Sequence, residues 1–75
     1  MDKLTKRLRD TREDRELTQE QIANILHTSQ RVYSRYETGV RALPLEHLYT
    51  LCLFYNITPE YFLGFTNKPS SLPKK

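Results

Sequence analysis

Apolar residues recur along this chain at the three- and four-residue spacing of helices, in segments that glycine and proline separate. No segment alternates apolar and polar residues over the length of a strand, so the pattern predicts no sheet. The separating residues are Gly39, Pro44, Pro59, Gly64, Pro69 and Pro73. The pattern therefore predicts an all-α fold, a compact domain of five helices.

The first two predicted helices differ in how much apolar surface they carry. Residues 3–16 have Leu4 and Leu8 one turn apart and then mostly charged side chains, which is typical of a solvated helix. Thr18 and Gln21 have the spacing of a capping box, and a short second helix is predicted to begin there.

A tight turn is predicted between the second and third helices. His27, Thr28 and Ser29 interrupt the helical pattern, and the two hydroxyl residues are of the type that caps helices. The third helix is predicted over 29–38, and Gly39 is expected to end it as a C-terminal cap.

A fourth helix is predicted to begin at Pro44, which suits a first turn, and to end at Asn56. The residues predicted to share its inner face are Leu45, Leu48, Cys52 and Tyr55. A threonine, a proline and a glutamate at 58–60 predict the start of a fifth helix, which Gly64 ends.

The chain is predicted to contain one domain and a tail. Residues 1–64 carry the five helices, whereas residues 65–75 have two prolines, two serines and three lysines but few apolar side chains. Such a composition does not support packing, so the tail is predicted to be mobile.

Composition narrows the class of protein. A chain of 75 residues has room for one small core, and neither an acid–base pair nor a cofactor motif is visible, so no enzyme is predicted. Cys52 is the only cysteine, which excludes an internal disulfide. His27 and His47 have no carboxylate or thiol at ligand spacing, so no metal site is predicted.

Charge and hydropathy indicate the compartment and the kind of partner. The net charge of +3 and the isoelectric point of about 9.2 favour an anionic partner. The sequence has neither an apolar run of about 20 residues nor an apolar N-terminal segment, so no membrane span and no secretory signal are expected. A cytoplasmic location is therefore predicted.

The third predicted helix has two unlike faces. At about 100° per residue, one arc holds only side chains that form hydrogen bonds, whereas the opposite arc is largely aromatic and apolar. The polar arc contains Gln30, Arg31, Ser34, Arg35 and Thr38. Planar side chains of this kind match base edges, arginine to guanine and glutamine to adenine, although an ordinary amphipathic surface helix also has a polar face.

A short helix, a tight turn and a second helix with a polar face together indicate a helix-turn-helix. Residues 18–39, TQEQIANILHTSQRVYSRYETG, resemble the helix-turn-helix of the Cro and phage-repressor family, the Xre family of bacterial regulators. The resemblance runs from about Leu4 to Gly64 and includes the closing PEYFLG. It implies a five-helix domain like that of lambda repressor, with its motif at about 18–38, that binds double-stranded operator DNA as a homodimer.

The resemblance also implies roles for individual residues. The side chains expected to read bases are Gln30, Arg31, Ser34 and Arg35. The side chains expected to contact phosphates are Gln19, Ser29, Thr38 and Arg41. Gln19 is further expected to brace a side chain of the reading helix. Arg12 and Glu37 fall where many members have an ion pair that ties the first helix to the third.

The sequence departs from the family pattern at two positions. His27 replaces the usual glycine of the turn, so a residue with a Cβ is expected in a left-handed conformation. Tyr33 replaces a small aliphatic residue, and its phenol is expected to find a partner at the rim of the core.

Two functions remain open from the sequence. The favoured one is a sequence-specific transcriptional regulator, most simply a repressor, that reads the major groove of an inverted repeat. The alternative is an antitoxin or another protein-interaction module with the same fold, because fold alone does not fix function. Several aromatic residues near the C-terminus exceed what one small core needs, which suggests a self-contact there.

Overall fold

The computed structural model describes residues 2–73 and, within them, confirms the predicted all-α fold without a strand. Its helices are α1 (Asp2–Asp14), α2 (Gln19–Ile25), α3 (Gln30–Thr38), α4 (Leu45–Tyr55) and α5 (Pro59–Leu63). Residues 1, 74 and 75, at the two ends of the predicted domain and tail, lie outside the described residues.

Local sequence signals set most of the helix ends. The capping box at α2 is complete, because Thr18 Oγ1 accepts from the amide of Gln21 and the Gln21 side chain accepts from the amide of Thr18. Gly39 and Gly64 end α3 and α5 in the left-handed conformation, with φ of 80° and 87°. Glycine occupies this conformation without the steric cost of a Cβ.

The start of α4 differs from the prediction by one residue, whereas α5 begins where it was predicted. Pro44 precedes α4 as its N-cap and does not lie in its first turn. Thr58 stands at the N-cap of α5, but its side chain makes no capping hydrogen bond. The proline at position 59 and the apolar pair Ile57 and Phe62, both buried, accompany this helix start instead.

One core joins all five helices. Its buried apolar residues are Leu8, Ile22, Ala23, Leu26, Tyr33, Tyr36, Leu48, Leu51, Cys52, Tyr55, Ile57 and Phe62. Helix α3 packs against both α1 and α2, and α5 packs against α1 and α4. The small side chain of Ala23, 1% exposed, lies within this core on α2. The packing therefore holds α3 by one face only.

The predicted inner face of α4 is partly wrong. Leu48, Cys52 and Tyr55 are buried as predicted, but Leu45 is 79% exposed and Leu51 is fully buried. The apolar arc of α4 is wider than the arc that the core covers. Spacing alone identified the apolar residues of α4. It did not determine which of them, Leu45 or Leu51, packs in the core.

The tail after Gly64 lies along the helices in the structure. A guanidinium nitrogen of Arg7 donates to the carbonyl oxygens of Tyr61 and Thr66, and the same guanidinium lies 4.4 Å from the centroid of the Tyr61 ring. Farther along, the amide of Leu72 donates to Asn56 Oδ1 at 3.2 Å. The mobility of residues 65–75 in solution stays a prediction.

Candidate nucleic-acid interface

The turn between α2 and α3 sets the direction of α3. His27 adopts φ of 56°, the left-handed conformation that the sequence predicted at this position. The amide of Thr28 donates to the carbonyl of Ala23 at 2.9 Å, which closes the end of α2. Ser29 then caps α3 by accepting from the amide of Val32 at 3.1 Å. The turn is thus bonded to both helices.

Most of the polar face of α3 is exposed. Gln30, Arg31, Arg35 and Thr38 are exposed, and Ser34 is half-buried. The opposite face contains the buried residues Tyr33, Tyr36 and Glu37. The structure therefore separates the side chains that contact the core from those that solvent or a ligand can reach.

A continuous chain of hydrogen bonds links this polar face to the interior. Gln30 Nε2 donates to Gln19 Oε1 at 2.6 Å, and Gln19 Nε2 donates to Glu37 Oε1 at 3.1 Å. Arg12 completes the chain, because its Nε lies 2.7 Å from Glu37 Oε2 and its Nη2 lies 3.2 Å from Glu37 Oε1. Four residues predicted as site residues are thus connected side chain to side chain.

The ionised carboxylate at the buried end fixes the direction of every bond in this chain. Glu37 can only accept, so the amide nitrogen of Gln19 must face it. That leaves Gln19 Oε1 for the amide of Gln30. Gln30 consequently keeps its side-chain oxygen and one N–H for a ligand, which is the pair of groups that adenine requires.

The ion pair below the polar face is largely buried. The side chain of Glu37 is 2% exposed and that of Arg12 is 12% exposed. Burial by itself would raise the pKa of Glu37, but its hydrogen bonds, foremost from Arg12, outweigh burial and lower that pKa. The same contact raises the pKa of Arg12. Both groups are therefore charged at neutral pH, and Arg12 also donates to the carbonyl of Leu17.

Tyr33 lies deeper than the sequence predicted. It is fully buried, not at the rim of the core, and its hydroxyl has no partner at hydrogen-bonding geometry among the described residues. Burial raises its pKa above the ordinary value, and the nearby charge of Glu37 raises it further. The phenol is therefore neutral and acts as part of the packing beneath α3.

The other predicted site residues take no part in the series of hydrogen bonds from Gln30 to Arg12. The side chains of Arg31, Arg35 and Arg41 are exposed and form no hydrogen bond or ion pair with the described residues. The amide of Arg41 donates to the carbonyl of Arg35 at 3.2 Å, which holds the loop close to the end of α3. The hydroxyl of Thr38 donates to the carbonyl of Arg35, so its proton is engaged within the helix.

The two histidines border one shallow cavity. His27, His47 and Glu46 line it together with apolar side chains. Within residues 2–73, however, no three histidine, cysteine or acidic side chains come close enough to hold a metal ion. None of the helices in this range is long and apolar enough to cross a membrane.

Sequence reasoning missed the central link of the site. It predicted the pair of Arg12 with Glu37 and, separately, the bracing role of Gln19. It did not predict that Gln19 links Gln30 to that ion pair. A usable signal was present, because Glu37 lies on the buried arc of α3 and a buried carboxylate requires several donors.

Comparison with known proteins identifies the family of the chain. A model of the helix-turn-helix family matches residues 8–62. The chain is also similar to YobD of Bacillus subtilis (strain 168), described as an uncharacterized HTH-type transcriptional regulator, with 35% identity over 63 residues. That alignment covers 84% of this chain and 56% of the relative, so the chain spans little more than half of the relative's length. No solved structure matches the chain.

Proposed function

Because this chain belongs to the helix-turn-helix family, we propose that it is a DNA-binding transcriptional regulator that reads the major groove through α3. The observation that carries the proposal is the polar face of α3. One of its side chains, Gln30, is held by a hydrogen bond to Gln19, and two others, Arg31 and Arg35, are exposed and have no side-chain partner among the described residues. In a helix-turn-helix the second helix enters the major groove and the first crosses the backbone.

The proposed base contacts follow from the groups that remain available. Gln30 offers an acceptor and a donor side by side and thus fits adenine. Arg31 and Arg35 offer planar pairs of donors and thus fit guanine. Ser34, half-buried between them, offers one hydroxyl.

The proposed phosphate contacts lie at the ends of α2 and α3. Gln19 retains one N–H, Ser29 retains its hydroxyl proton, and the guanidinium of Arg41 is unbonded. Thr38 would have to turn its hydroxyl away from the carbonyl of Arg35 before it could donate to a phosphate. Phosphate contacts position the protein but carry little sequence information.

We further propose that the protein acts as a repressor and binds an inverted repeat as a homodimer. Two equivalent reading helices related by a twofold axis require half-sites whose centres lie about one helical turn, roughly 34 Å, apart. A repressor needs only to occupy the operator, and an inverted repeat matches the twofold symmetry of a homodimer.

Selection of sites from a random duplex pool at physiological salt tests the function. We expect an enriched palindromic sequence. Arg35→Ala should cost about 1–3 kcal/mol and relax the preference at one base pair of each half-site. Arg41→Ala should weaken binding to all sequences alike. Arg9→Ala, which removes an exposed guanidinium from α1, is the charge-matched control and should change the preference at no position.

Salt dependence separates DNA binding from a protein-interaction role. Binding through phosphates should weaken steeply with salt, with a logarithmic slope of about −0.9 for each neutralised phosphate. If no sequence is enriched, or if Arg35→Ala and Arg41→Ala reduce affinity equally for every sequence, the proposed roles are wrong.

A further inference from the structure

Helix α4 carries more apolar surface than the core covers. Its buried residues are Leu48, Leu51, Cys52 and Tyr55. Beside this buried arc runs an α4 outer stripe, which we define as Leu45, Tyr49 and Leu53, at i, i+4 and i+8. These side chains are 79%, 66% and 55% exposed. A helix that packs on one side only needs an apolar arc of roughly 100°, and α4 has about twice that width.

The α4 outer stripe borders an open groove of about 900 Å³. Pro44, Pro59 and Leu72 contribute to its walls, and Glu46 is the charged residue among those that line it. The tail shapes this groove, because the bond from the amide of Leu72 to Asn56 holds Leu72 at its edge. The groove is therefore almost uncharged, in contrast to the polar face of α3.

We propose that the α4 outer stripe is the surface through which two copies of this chain pair, with their α4 helices antiparallel about Tyr49. The proposal deepens the proposed function, since an inverted repeat requires two copies. The stripe is symmetric along the helix, because Leu45 and Leu53 lie one turn on either side of Tyr49. In an antiparallel pair, each Leu45 therefore meets Leu53 of the second copy, and the two Tyr49 side chains meet on the axis.

The area of the stripe, together with the adjoining groove, approaches what a weak dimer requires. Side chains of this size have full areas of roughly 150–250 Å², so at the observed exposures the stripe presents roughly 400 Å² per copy. The prolines and Leu72 at the groove add to this area. The two stripes alone contribute roughly 800 Å², and the groove residues bring the total towards the roughly 1,000 Å² that marks the lower limit of a specific interface and is typical of a weak dimer.

The position and charge of the stripe also favour a second copy as its occupant. An isologous contact pairs a surface with itself, so a nearly uncharged surface avoids the like-charge repulsion that self-pairing otherwise brings. The groove is lined by residues of α4, α5 and the adjoining segments and by none of α2 or α3. Pairing there leaves the polar face of α3 uncovered in both copies.

Sedimentation of the full chain over a range of concentrations tests the proposal without DNA. We expect the wild type to reach twice the 8.9 kDa mass of one chain. Leu53→Glu and Tyr49→Glu should each raise the dissociation constant by about tenfold or more, since each buries an unpaired charge within the interface. Phe65→Glu is the control, because Phe65 is 80% exposed but lies outside the groove. Far-ultraviolet circular dichroism should be unchanged in all three variants.

A charge exchange tests the antiparallel register. Leu45→Lys alone and Leu53→Glu alone should both weaken the dimer. The double variant Leu45→Lys/Leu53→Glu places opposite charges across the interface and should recover part of the affinity. Failure of the double variant to recover any affinity would overturn the antiparallel arrangement.

Other outcomes overturn the proposal or separate it from the proposed function. A wild type that stays monomeric at every concentration overturns the proposed pairing. The groove would then fit an apolar segment of another protein. Dissociation by Phe65→Glu but not by Leu53→Glu also overturns it. If dimers form and Leu53→Glu separates them while site selection enriches no DNA sequence, the pairing surface stands and the proposed function fails. If a strictly monomeric protein enriches a DNA site, the proposed function stands and the pairing surface fails.

Discussion

The polar face of α3 and the outer stripe of α4 are both exposed, but they are supported in opposite ways. Behind α3, hydrogen bonds run from Gln30 through Gln19 to a buried ion pair. Behind the α4 outer stripe lies apolar packing, and none of its three side chains forms a hydrogen bond or an ion pair with residues 2–73. Directional bonds fix where a polar group points, whereas apolar contact fixes only how much surface is covered.

The difference indicates what each surface can recognise. A bonded glutamine at a fixed position can distinguish one arrangement of donors and acceptors from another. An apolar stripe can be covered by any surface of matching shape, and its selectivity must come from symmetry and from the absence of charge. Substitutions in the two regions should therefore differ in their effects on stability.

The largest effect is expected where a carboxylate is removed from the bonded region. Glu37→Ala removes the close partner of the largely buried Arg12, which keeps a 3.8 Å contact to the exposed carboxylate of Glu13, and should lower the free energy of unfolding by about 3–5 kcal/mol. Glu46→Ala, the matched change at an exposed position on α4, should alter it by less than about 0.5 kcal/mol. Urea denaturation followed by circular dichroism measures both, and equal losses would remove the distinction between the two regions.

Acid should weaken the bonded region selectively. The pKa of Glu37 in the folded chain lies below its ordinary value of 4.5, so its ionised form stabilises the fold above that pH. This stability should be lost as the pH falls through the lowered pKa, because the folded chain must then take up the proton. Urea titrations from neutral pH to about pH 3 should show a steeper loss in the wild type than in Glu37→Gln. If wild type and Glu37→Gln lost stability equally as the pH falls, the lowered pKa of Glu37 would be contradicted.

A smaller change, this time an increase in the free energy of unfolding, is expected on the inner side of α4. The hydroxyl of Tyr55 is buried without a hydrogen-bond partner among the described residues, and burial raises its pKa to about 12. Tyr55→Phe removes an unpaired polar group and should raise the free energy of unfolding by up to about 1 kcal/mol. A loss of stability in the same denaturation experiment would mean that this hydroxyl has a partner in solution.

The smallest effect is expected at the turn before α3. His27 holds φ of 56° with a Cβ present, so His27→Gly relieves strain but increases the freedom of the unfolded chain. The net gain should be a few tenths of a kcal/mol to about 1 kcal/mol. Thermal melts of His27→Gly and His27→Ala compare the two directly, and alanine should bring no gain.

The sequence predicted the helices well because their ends depend on neighbouring residues. The capping box of Thr18 and Gln21, the cap at Ser29 and the closing glycines act within one turn of the chain. The left-handed conformation of His27 was predicted from resemblance and is confirmed. Each of these features depends on a few adjacent residues and needs no knowledge of the tertiary structure.

Features that depend on distant residues were predicted less well. Periodicity placed Leu45 in the core because a helical pattern does not say how the helix is rotated. The depth of Tyr33 follows from how α1 and α2 enclose α3. The bonds of Arg7 to Tyr61 and Thr66 join residues more than fifty positions apart. Resemblance supplied the four linked residues of the site, but only tertiary structure connects them in order.

The bond from Gln30 to Gln19 has a consequence for how such a protein diverges. A substitution at Gln30 replaces its exposed bond to the Gln19 oxygen by one from water, so Gln19 loses this brace on α3 and is itself freed to change. The side chains of Arg31 and Arg35 are bonded to no other side chain within residues 2–73 and have no such dependence. Descendants that acquire new target sites should therefore vary singly at positions 31 and 35, whereas positions 19 and 30 should drift together.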